Sequence, residues 1–297
     1  MAGASIQVLC PAKVNLFLEV TGRRQDGYHL LATLFAKINL HDVLDLSPAP
    51  GFSLEVAAET GQELSAGPDN LVLRAAKAFA AEFRTGGGAA MRLTKRIPMG
   101  AGLGGGSSDA AGALLGLAKL HRVGTPGTLA RLRRLALGLG ADVPLFLHPA
   151  TLCEGRGVGE RLRGVRASKS LPYMLLVYPD LSIATKGVFT ALERPSRKAV
   201  LTSLSRLGTL EKKLGKGSPI SEWEPFLFNR LQPGVEAAHP EVAQARNILI
   251  RLGLRGVLMS GSGSSVFGFA GSHADGEQAL KRLRVYPWRA FLTCVLG

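Results

Sequence analysis

A glycine-rich segment between a predicted strand and a predicted helix places the strongest constraint on this chain. Six of the thirteen residues from Gly100 to Gly112 are glycine. Glycine adopts backbone angles that other residues avoid, and it lets another molecule approach the backbone closely. Backbone N–H groups at the start of a helix bind anions. We therefore expect a phosphate-binding loop, in which Ser107 and Ser108 donate hydrogen bonds to a phosphate or help to place its Mg²⁺.

Other interpretations of this segment compete with that expectation. Gly100-x-Gly102-x-x-Gly105 satisfies the dinucleotide-binding pattern, but the turn at 122–127 lacks the acidic residue that should follow about twenty residues later. A Walker A loop needs a lysine before the serine, and the chain has Gly106 there. A mobile glycine loop before a helix capped by Ser107 or Ser108 remains an alternative.

The composition is that of a globular protein. A chain of 297 residues, 46% of them hydrophobic, is long enough for two modest domains. Its three cysteines are widely spaced and form neither a disulfide framework nor a metal-site pattern, which favours a reducing compartment. The sequence lacks both an apolar run of eighteen residues and a signal-peptide pattern. We expect a cytoplasmic protein without a membrane partner, either a monomer or a weak homodimer.

The formal net charge of +14 attracts anionic partners, from nucleotides to nucleic acid. The basic residues cluster without the interleaved aromatic side chains of a single-strand binding platform. A solvated basic surface is therefore favoured and no nucleic-acid partner is expected, although a basic nucleic-acid-binding protein stays the alternative from another functional class.

The first half of the chain is predicted to be strand-rich, with helices around the glycine-rich segment. Alternation and composition predict strands at 6–9, 14–20, 30–40, 43–46, 52–56 and 90–97. Helices are expected after Asp69 or Asn70, over 107–121 and over 128–139.

The second half is predicted to alternate strands and helices after a polar boundary at 155–170. Strands are expected at 173–178, 256–259, 266–269 and 290–295, and helices at 186–192, within 223–231, and at 240–252 and 276–284. The basic stretch up to Pro219 is interpreted as a mobile connection. Together the pattern predicts an α+β protein.

Five motifs occur in a fixed order along the chain. They are Pro11-Ala12-Lys13-Val14-Asn15-Leu16, Asp26-Gly27-Tyr28-His29, the glycine-rich segment, Leu139-Gly140-Ala141-Asp142-Val143-Pro144 and Ser260-Gly261-Ser262-Gly263-Ser264-Ser265. With this set, the chain resembles the GHMP small-molecule kinases, such as galactokinase, homoserine kinase and mevalonate kinase, over nearly its whole length.

The resemblance implies a two-domain α+β architecture. An N-terminal ATP-binding domain over 1–165 would carry the phosphate loop, and a ferredoxin-like α/β sandwich would follow over 166–297. It also implies transfer of the γ-phosphoryl group of ATP, with Mg²⁺ arriving with the nucleotide, to a hydroxyl group of a small molecule. The motif with Tyr28 and His29 implies that this substrate carries a cytidine diphosphate.

Two catalytic residues are implied by the resemblance. Asp142 would be the general base that accepts the hydroxyl proton. Lys13 would orient Asp142, keep it ionised and stabilise charge on the attacking oxygen. Without the resemblance, Asp142 fits a helix N-cap equally well and Lys13 fits the protein surface.

The same resemblance implies residues that bind the phosphate acceptor. Asn15 shares the strand face of Lys13 by the period of two. Tyr28 and His29 would stack on and hydrogen-bond to a cytosine, with Phe189 as the opposing surface. Thr185, four residues before Phe189, and the turn at Gly263 complete the set of substrate-binding residues.

On the ATP side, the resemblance implies the glycine-rich segment and two further residues. Asn70 and Lys95 would line the adenosine pocket, although capping and surface positions would explain them equally well. The segment itself contributes Pro98, Met99, Gly100, Ala101, Gly102, Leu103, Gly104, Gly105, Gly106, Ser107 and Ser108. No protein ligand of Mg²⁺ is assigned, and Arg230 and the stretch 194–216 receive no role. A GHMP kinase for homoserine or a mevalonate derivative stays open, since it would not need Tyr28, His29 and Phe189.

Overall fold

The computed structural model describes residues 5–59 and 64–297 and divides the chain into two compact units. The first unit comprises Met1–Ala12, Leu40–Met99 and Gly104–Pro149, and the second comprises Lys13–Asn39, Gly100–Leu103 and Ala150–Gly297. Each unit draws on separate parts of the chain because two long strands and the glycine-rich segment contribute to both. The expected division of the sequence between residues 165 and 166 stays a prediction.

The elements are as follows. The strands are β1 (Ile6–Arg23), β2 (His29–Ala49), β3 (Ser53–Ala58), β4 (Gly88–Lys95), β5 (Leu152–Gly157), β6 (Arg161–Val165), β7 (Met174–Tyr178), β8 (Phe228–Asn229), β9 (Arg255–Met259), β10 (Val266–Phe269) and β11 (Arg289–Thr293). The helices are α1 (Leu71–Phe83), α2 (Gly105–Leu120), α3 (Thr128–Leu139), α4 (Val143–Leu147), α5 (Thr185–Ala191), α6 (Arg197–Gly215), α7 (Ile220–Trp223), α8 (Gln232–Ala238), α9 (Pro240–Arg251) and α10 (His273–Leu283), with a 3₁₀ turn at Glu224–Phe226.

In the first unit, β3, β4, β2 and β1 lie side by side in that order. The prediction of a helix capped near Asn70 is confirmed, since the Asn70 side chain accepts a hydrogen bond from the N–H of Val72. Helix α2 packs closely on the strands because glycine stands at two positions of the helix that face them. A Cβ added to Gly112 would lie 2.4 Å from the sulfur of Cys10, and one added to Gly116 would lie 2.6 Å from Leu46.

In the second unit, a four-stranded antiparallel sheet has the order β11, β7, β10, β9. Helices α9 and α10 pack on it and bury a core that includes Leu175, Val177, Ala245 and Leu249. A second set of strands in this unit consists of β6, β5 and parts of β2 and β1, with β8 parallel to β1.

Several sequence-based assignments of elements were wrong. The predicted strand pairs 6–9 with 14–20 and 30–40 with 43–46 are the single strands β1 and β2. Pro11 does not interrupt β1, because the fixed φ of proline suits an extended chain. The expected helix within 223–231 is instead the short α7, the 3₁₀ turn and β8.

The two polar stretches of the second half are also ordered. The supposed boundary at 155–170 contains the antiparallel hairpin β5–β6, in which Glu154 accepts hydrogen bonds from Arg156 and Arg163. The supposed mobile connection is the 19-residue helix α6, whose buried residues Ser203, Leu207, Leu210 and Leu214 recur at helical spacing.

Candidate active site

A chain of buried polar groups on β1 and β2 holds the predicted catalytic lysine. Lys13 is only 5% exposed, and its ammonium group donates a hydrogen bond to Asn15 Oδ1 at 2.9 Å. Asn15 Nδ2 donates to Thr33 Oγ1 at 2.8 Å, and Thr33 donates in turn to the carbonyl oxygen of Phe17 at 2.6 Å. The expected shared face of Lys13 and Asn15 is confirmed, and the network fixes the position of a buried cation.

The turn after β9 approaches this lysine closely. A Cβ added to Gly261 would lie 3.2 Å from Lys13 Nζ and 3.3 Å from Asn15 Oδ1, so the turn passes beside both side chains. Asn229 holds the turn, since its Nδ2 donates to the carbonyl oxygens of Met259 and Gly261, both at 2.8 Å. The turn therefore presents backbone groups next to Lys13.

The part of the glycine-rich segment that belongs to the second unit lies against the same turn. The N–H of Lys13 donates to the carbonyl oxygen of Leu103 at 2.9 Å. Gly102 has a φ of +74°, and a Cβ on it would lie 2.4 Å from the carbonyl oxygen of Ser260 and 2.9 Å from that of Gly263. Only glycine fits this position, both for its backbone angle and for the space around it.

The residues predicted to bind the cytidine end are also brought together within the second unit. The rings of His29 and Phe189 stack with centroids 5.2 Å apart, whereas Tyr28 is 62% exposed. Burial, and then the charge of Arg23, lower the pKa of His29, so its imidazole is neutral at neutral pH. Thr185 Oγ1 lies 2.9 Å from Ser262 Oγ, which connects α5 to the glycine–serine turn.

A cavity of about 550 Å³ lies beside the start of β2 in the second unit. Its lining includes Leu30 and Leu31, directly after Tyr28 and His29, together with Arg156, Arg161 and Arg163. The strand end that carries the aromatic pair therefore borders a space with both apolar and cationic walls.

The remainder of the glycine-rich segment begins α2 in the first unit. Gly104 is the N-cap residue with a φ of +71°, so neither Ser107 nor Ser108 caps this helix. Without a capping side chain, the first N–H groups of α2 remain in the arrangement that binds anions. The Ser108 hydroxyl is buried, and no residue within 5–59 or 64–297 makes a hydrogen bond to it.

Lys95 lies in a buried cluster rather than on a strand surface. Its ammonium group forms ion pairs with two carboxyl groups, Asp42 Oδ2 and Asp109 Oδ2, the second at 2.7 Å. All three side chains are at most 3% exposed. Burial lowers the pKa of Lys95, but the two carboxylates outweigh this effect and the pKa is raised. Whether Lys95 lines the adenosine pocket stays a prediction.

Asp142 and Asn70 precede helices in the first unit. Asp142 is the half-buried N-cap residue of α4, yet within the described residues its side chain makes no capping hydrogen bond. Both polar groups of the Asn70 side chain make hydrogen bonds at the start of α1. Oδ1 accepts from the N–H of Val72 at 2.9 Å, and Nδ2 donates to the carbonyl oxygen of Ser65 at 2.8 Å. The capping interpretation thus describes Asn70 but not the side chain of Asp142.

Sequence reasoning missed three polar residues that support these positions. Thr33, Asp42 and Asn229 are buried and bind side chains or turns of the predicted site. The signal that could have found Thr33 and Asp42 is a polar side chain inside an otherwise apolar strand, which needs a partner when it is buried.

Two absences concern the part of the chain that the structure describes. Within it, no three His, Cys, Asp or Glu side chains form a group that could hold a metal ion. None of its helices has the length and apolar character needed to cross a bilayer.

Two family models match the chain. The model of the GHMP kinases N terminal domain matches residues 70–149, and the GHMP kinases C terminal model matches residues 199–287. The first match includes the glycine-rich segment and Asp142, and the second includes the turn at Gly263.

Curated relatives are similar over nearly the full length. A 4-diphosphocytidyl-2-C-methyl-D-erythritol kinase of Prosthecochloris aestuarii is 37% identical over 284 residues, which cover 94% of each chain. The kinase of the same name from Thermus thermophilus is 40% identical over 285 residues, covering 94% of this chain and 92% of the relative.

Solved structures confirm the expected α+β fold. A crystal structure of 4-(cytidine 5'-diphospho)-2C-methyl-D-erythritol kinase, 38% identical, gives a TM-score of 0.78 and covers 98% of this chain and 100% of that chain. Homoserine kinase from Cytophaga hutchinsonii, 17% identical, gives a TM-score of 0.77 over 98% of this chain and 95% of its own, a likeness of fold alone. With both domain models matched and relatives of 37–40% identity aligned over 94% of its length, the chain belongs to the GHMP kinase family.

Proposed function

We propose that this kinase transfers the γ-phosphoryl group of ATP to the 2-hydroxyl group of 4-diphosphocytidyl-2-C-methyl-D-erythritol, giving the 2-phosphate and ADP. This step belongs to the non-mevalonate route to isoprenoid precursors. The observation that carries the proposal is the similarity, at 37–40% identity over 94% of the chain, to curated kinases named for this substrate.

The glycine-rich segment is proposed to bind the ATP phosphates. The start of α2 offers backbone N–H groups, and the buried Ser108 hydroxyl offers a further donor or ligand. Asn70 and the residues from Pro98 to Ser108 form the proposed nucleotide-binding set.

Mg²⁺ is proposed to arrive with ATP and to be held by its phosphates together with the hydroxyl groups of Ser107 or Ser108. This fits the structure, since Mg²⁺ usually needs few protein ligands when phosphates supply the others and the Ser108 hydroxyl lacks a partner among the described residues. When bound, the ion neutralises charge on the transferred phosphoryl group.

The chemical step is proposed to use Asp142 and Lys13. Asp142 accepts the proton of the attacking hydroxyl, and Lys13 stabilises negative charge that develops on the oxygen. The hydrogen bond from Lys13 to Asn15 supports this role, because it holds the ammonium group in one orientation before the reaction begins.

The cytidine diphosphate end is proposed to act as a handle. Tyr28 and Phe189 supply ring surfaces for the cytosine, and the neutral His29 can both donate and accept hydrogen bonds at its edge. His29 and Phe189 are in direct contact, so we place the base against the exposed ring of Tyr28 rather than between those two. Thr185 contacts Ser262 next to Gly263, and Thr185 and the turn at Gly263 are proposed to bind the same substrate.

We infer a cytoplasmic location, a small-molecule partner and no nucleic-acid partner. The location rests on three cysteines that form no disulfide bond within the described residues. The fold likeness to homoserine and mevalonate kinases, at 17% and 14% identity, does not support their substrates for this chain.

The test is substrate-dependent ADP release by the purified protein with ATP and Mg²⁺. We expect rapid release with 4-diphosphocytidyl-2-C-methyl-D-erythritol and background release with homoserine, mevalonate or no acceptor. A folded protein that binds ATP but responds to another of these alcohols would replace the proposed substrate while keeping the family.

A further inference from the structure

The two ends of the glycine-rich segment are connected to one buried cluster of charged side chains. Asp42 on β2 accepts hydrogen bonds at Oδ1 from the N–H groups of Arg96 at 2.6 Å and Ile97 at 2.9 Å. These two residues immediately precede Pro98, so Asp42 fixes the chain where the segment begins.

The far end is held through Lys95. Its ammonium group binds the second oxygen of Asp42 and reaches Asp109 Oδ2 at 2.7 Å. Asp109 lies in the second turn of α2, just after Ser108. A Cβ added to Gly105 would lie 3.2 Å from Lys95 Nζ, so the ammonium group sits directly beneath the first residue of the helix.

We propose that Asp42, Lys95 and Asp109 are positioning residues that hold the two ends of the glycine-rich segment at a fixed separation, so that the N–H groups between them are preorganised for ATP. This inference rests on the proposed function of the segment. It gives Lys95 a role that acts through the segment, in place of the expected direct contact with the nucleotide.

The charge state of the cluster follows from its burial. One ammonium group faces two carboxyl groups in a site without solvent, so full ionisation would leave a net negative charge there. Burial raises the pKa of Asp109 to about 8, with Lys95 opposing and Asp42 reinforcing the change.

Among residues 5–59 and 64–297, the other elements around the cluster contribute Cys10 as a further titratable group. Cys10 on β1 faces it from beneath α2, and burial together with Asp109 and Asp42 raises the pKa of this thiol well above its usual value. Cys10 therefore stays protonated, and Lys95 on β4, Asp42 on β2 and Asp109 on α2 decide the charge.

The hydrogen bond from Lys95 to Asp109 distinguishes two substitutions of the same residue. Asp109→Asn keeps a side-chain oxygen that can accept from Lys95, whereas Asp109→Ala removes the connection to α2. Lys95→Met is a poorer test, because it leaves the buried Asp42 without its cation and can prevent folding.

The experiment measures equilibrium binding of ATP with Mg²⁺ by calorimetry, without any acceptor alcohol. We expect Asp109→Ala to weaken ATP binding about tenfold, as the loss of a charged hydrogen bond can, and Asp109→Asn to stay within about twofold of the wild type. The control is Arg92→Ala, an exposed residue on the same strand as Lys95, which should leave binding unchanged. Circular dichroism verifies folding.

Two results would overturn the proposal: a folded Asp109→Ala protein that binds ATP like the wild type, or a folded Asp109→Asn protein that binds ATP as weakly as Asp109→Ala. If Asp109→Ala fails to fold, Asp109→Asn decides, and a loss of ATP affinity well beyond twofold overturns the proposal. Normal ATP binding without ADP release would count against the proposed acceptor and not against the positioning cluster.

Discussion

Asp142 stands one residue before α4, in a position where an aspartate usually caps a helix. Its side chain makes no capping hydrogen bond within the described residues, so helix capping does not account for it. A role in the reaction stays a prediction, and it can be tested without disturbing the helix.

Asp142→Asn should abolish turnover while leaving both substrates bound. The amide keeps the shape of the side chain but cannot accept a proton, and general bases contribute about 10²–10⁴-fold to rates. Single-turnover kinetics and calorimetric binding of ATP and of the acceptor would check this. Glu241→Gln, an exposed carboxylate on α9, serves as the control. Turnover within a few-fold of the wild type would remove Asp142 from the chemical step.

Tyr28→Ala and Phe189→Ala should each raise the KM for the acceptor far more than the KM for ATP. A base stacked on an aromatic ring is stabilised by about 1–3 kcal/mol, which is about tenfold or more in affinity. Initial-rate measurements with each substrate varied in turn separate the two effects. Tyr173→Ala provides a matched control, because Tyr173 is 42% exposed and contacts His273 instead. Equal increases for both substrates would indicate a structural role.

For single residues, local periodicity predicted the positions of the site side chains better than it identified the buried residues that hold them in place. The period of two correctly placed Lys13 and Asn15 on one face of β1. It could not identify Asp42 or Thr33, because their partners come from segments 16–55 residues distant along the chain. Such partners are determined by tertiary packing, which a single sequence does not display.

At the scale of elements, the glycine-rich segment performs two separate structural tasks. Gly102 takes a left-handed backbone angle against the turn at Ser260, whereas Gly112 lets α2 approach Cys10. Glycine is therefore required for different physical reasons at different positions of one cluster. Substitutions at single positions should distinguish these reasons.

Gly102→Ala should destabilise the protein, since a left-handed residue costs about 1–2 kcal/mol and the added Cβ meets a carbonyl oxygen. Gly208→Ala, at a position in α6 where an added Cβ would meet no described atom within 4 Å other than the neighbouring residues and backbone of the helix itself, should instead stabilise by about 0.5–1 kcal/mol. Urea unfolding of both variants measures the difference. If both variants changed the free energy of unfolding by the same amount, the turn at Ser260 would have to shift to accept the methyl group at position 102.

Some elements could be predicted from the sequence and others could not. Helix α3 has the predicted bounds, because its apolar residues repeat at helical spacing between two glycines. Helix α6 was missed although its leucines show the same spacing, since its many basic residues suggested a solvated connection. The hairpin β5–β6 was missed because glycine weakens the strand pattern, yet a Cβ at Gly155 would lie 2.7 Å from the ring of Phe35.

At the scale of the whole molecule, composition restricted the functional classes and the ordered motifs identified the family. Neither could reveal that β1 and β2 each contribute to both compact units. The alternation of apolar and polar residues predicts a strand but does not specify which strands or helices it packs against. The charge of the chain belongs to this scale as well, since it acts on any anion that approaches.

Ionic strength should therefore affect encounter with the substrates more than the chemical step. Both proposed substrates are anions and the chain carries a formal net charge of +14, so added salt screens their attraction. We expect kcat/KM for ATP to fall several-fold between about 20 and 300 mM salt, while kcat changes less than about twofold. Steady-state rates in a KCl series test this, with duplex DNA as a competitor in a parallel series. Strong inhibition by DNA at about 150 mM salt, or binding to DNA without ATP turnover, would favour the nucleic-acid alternative.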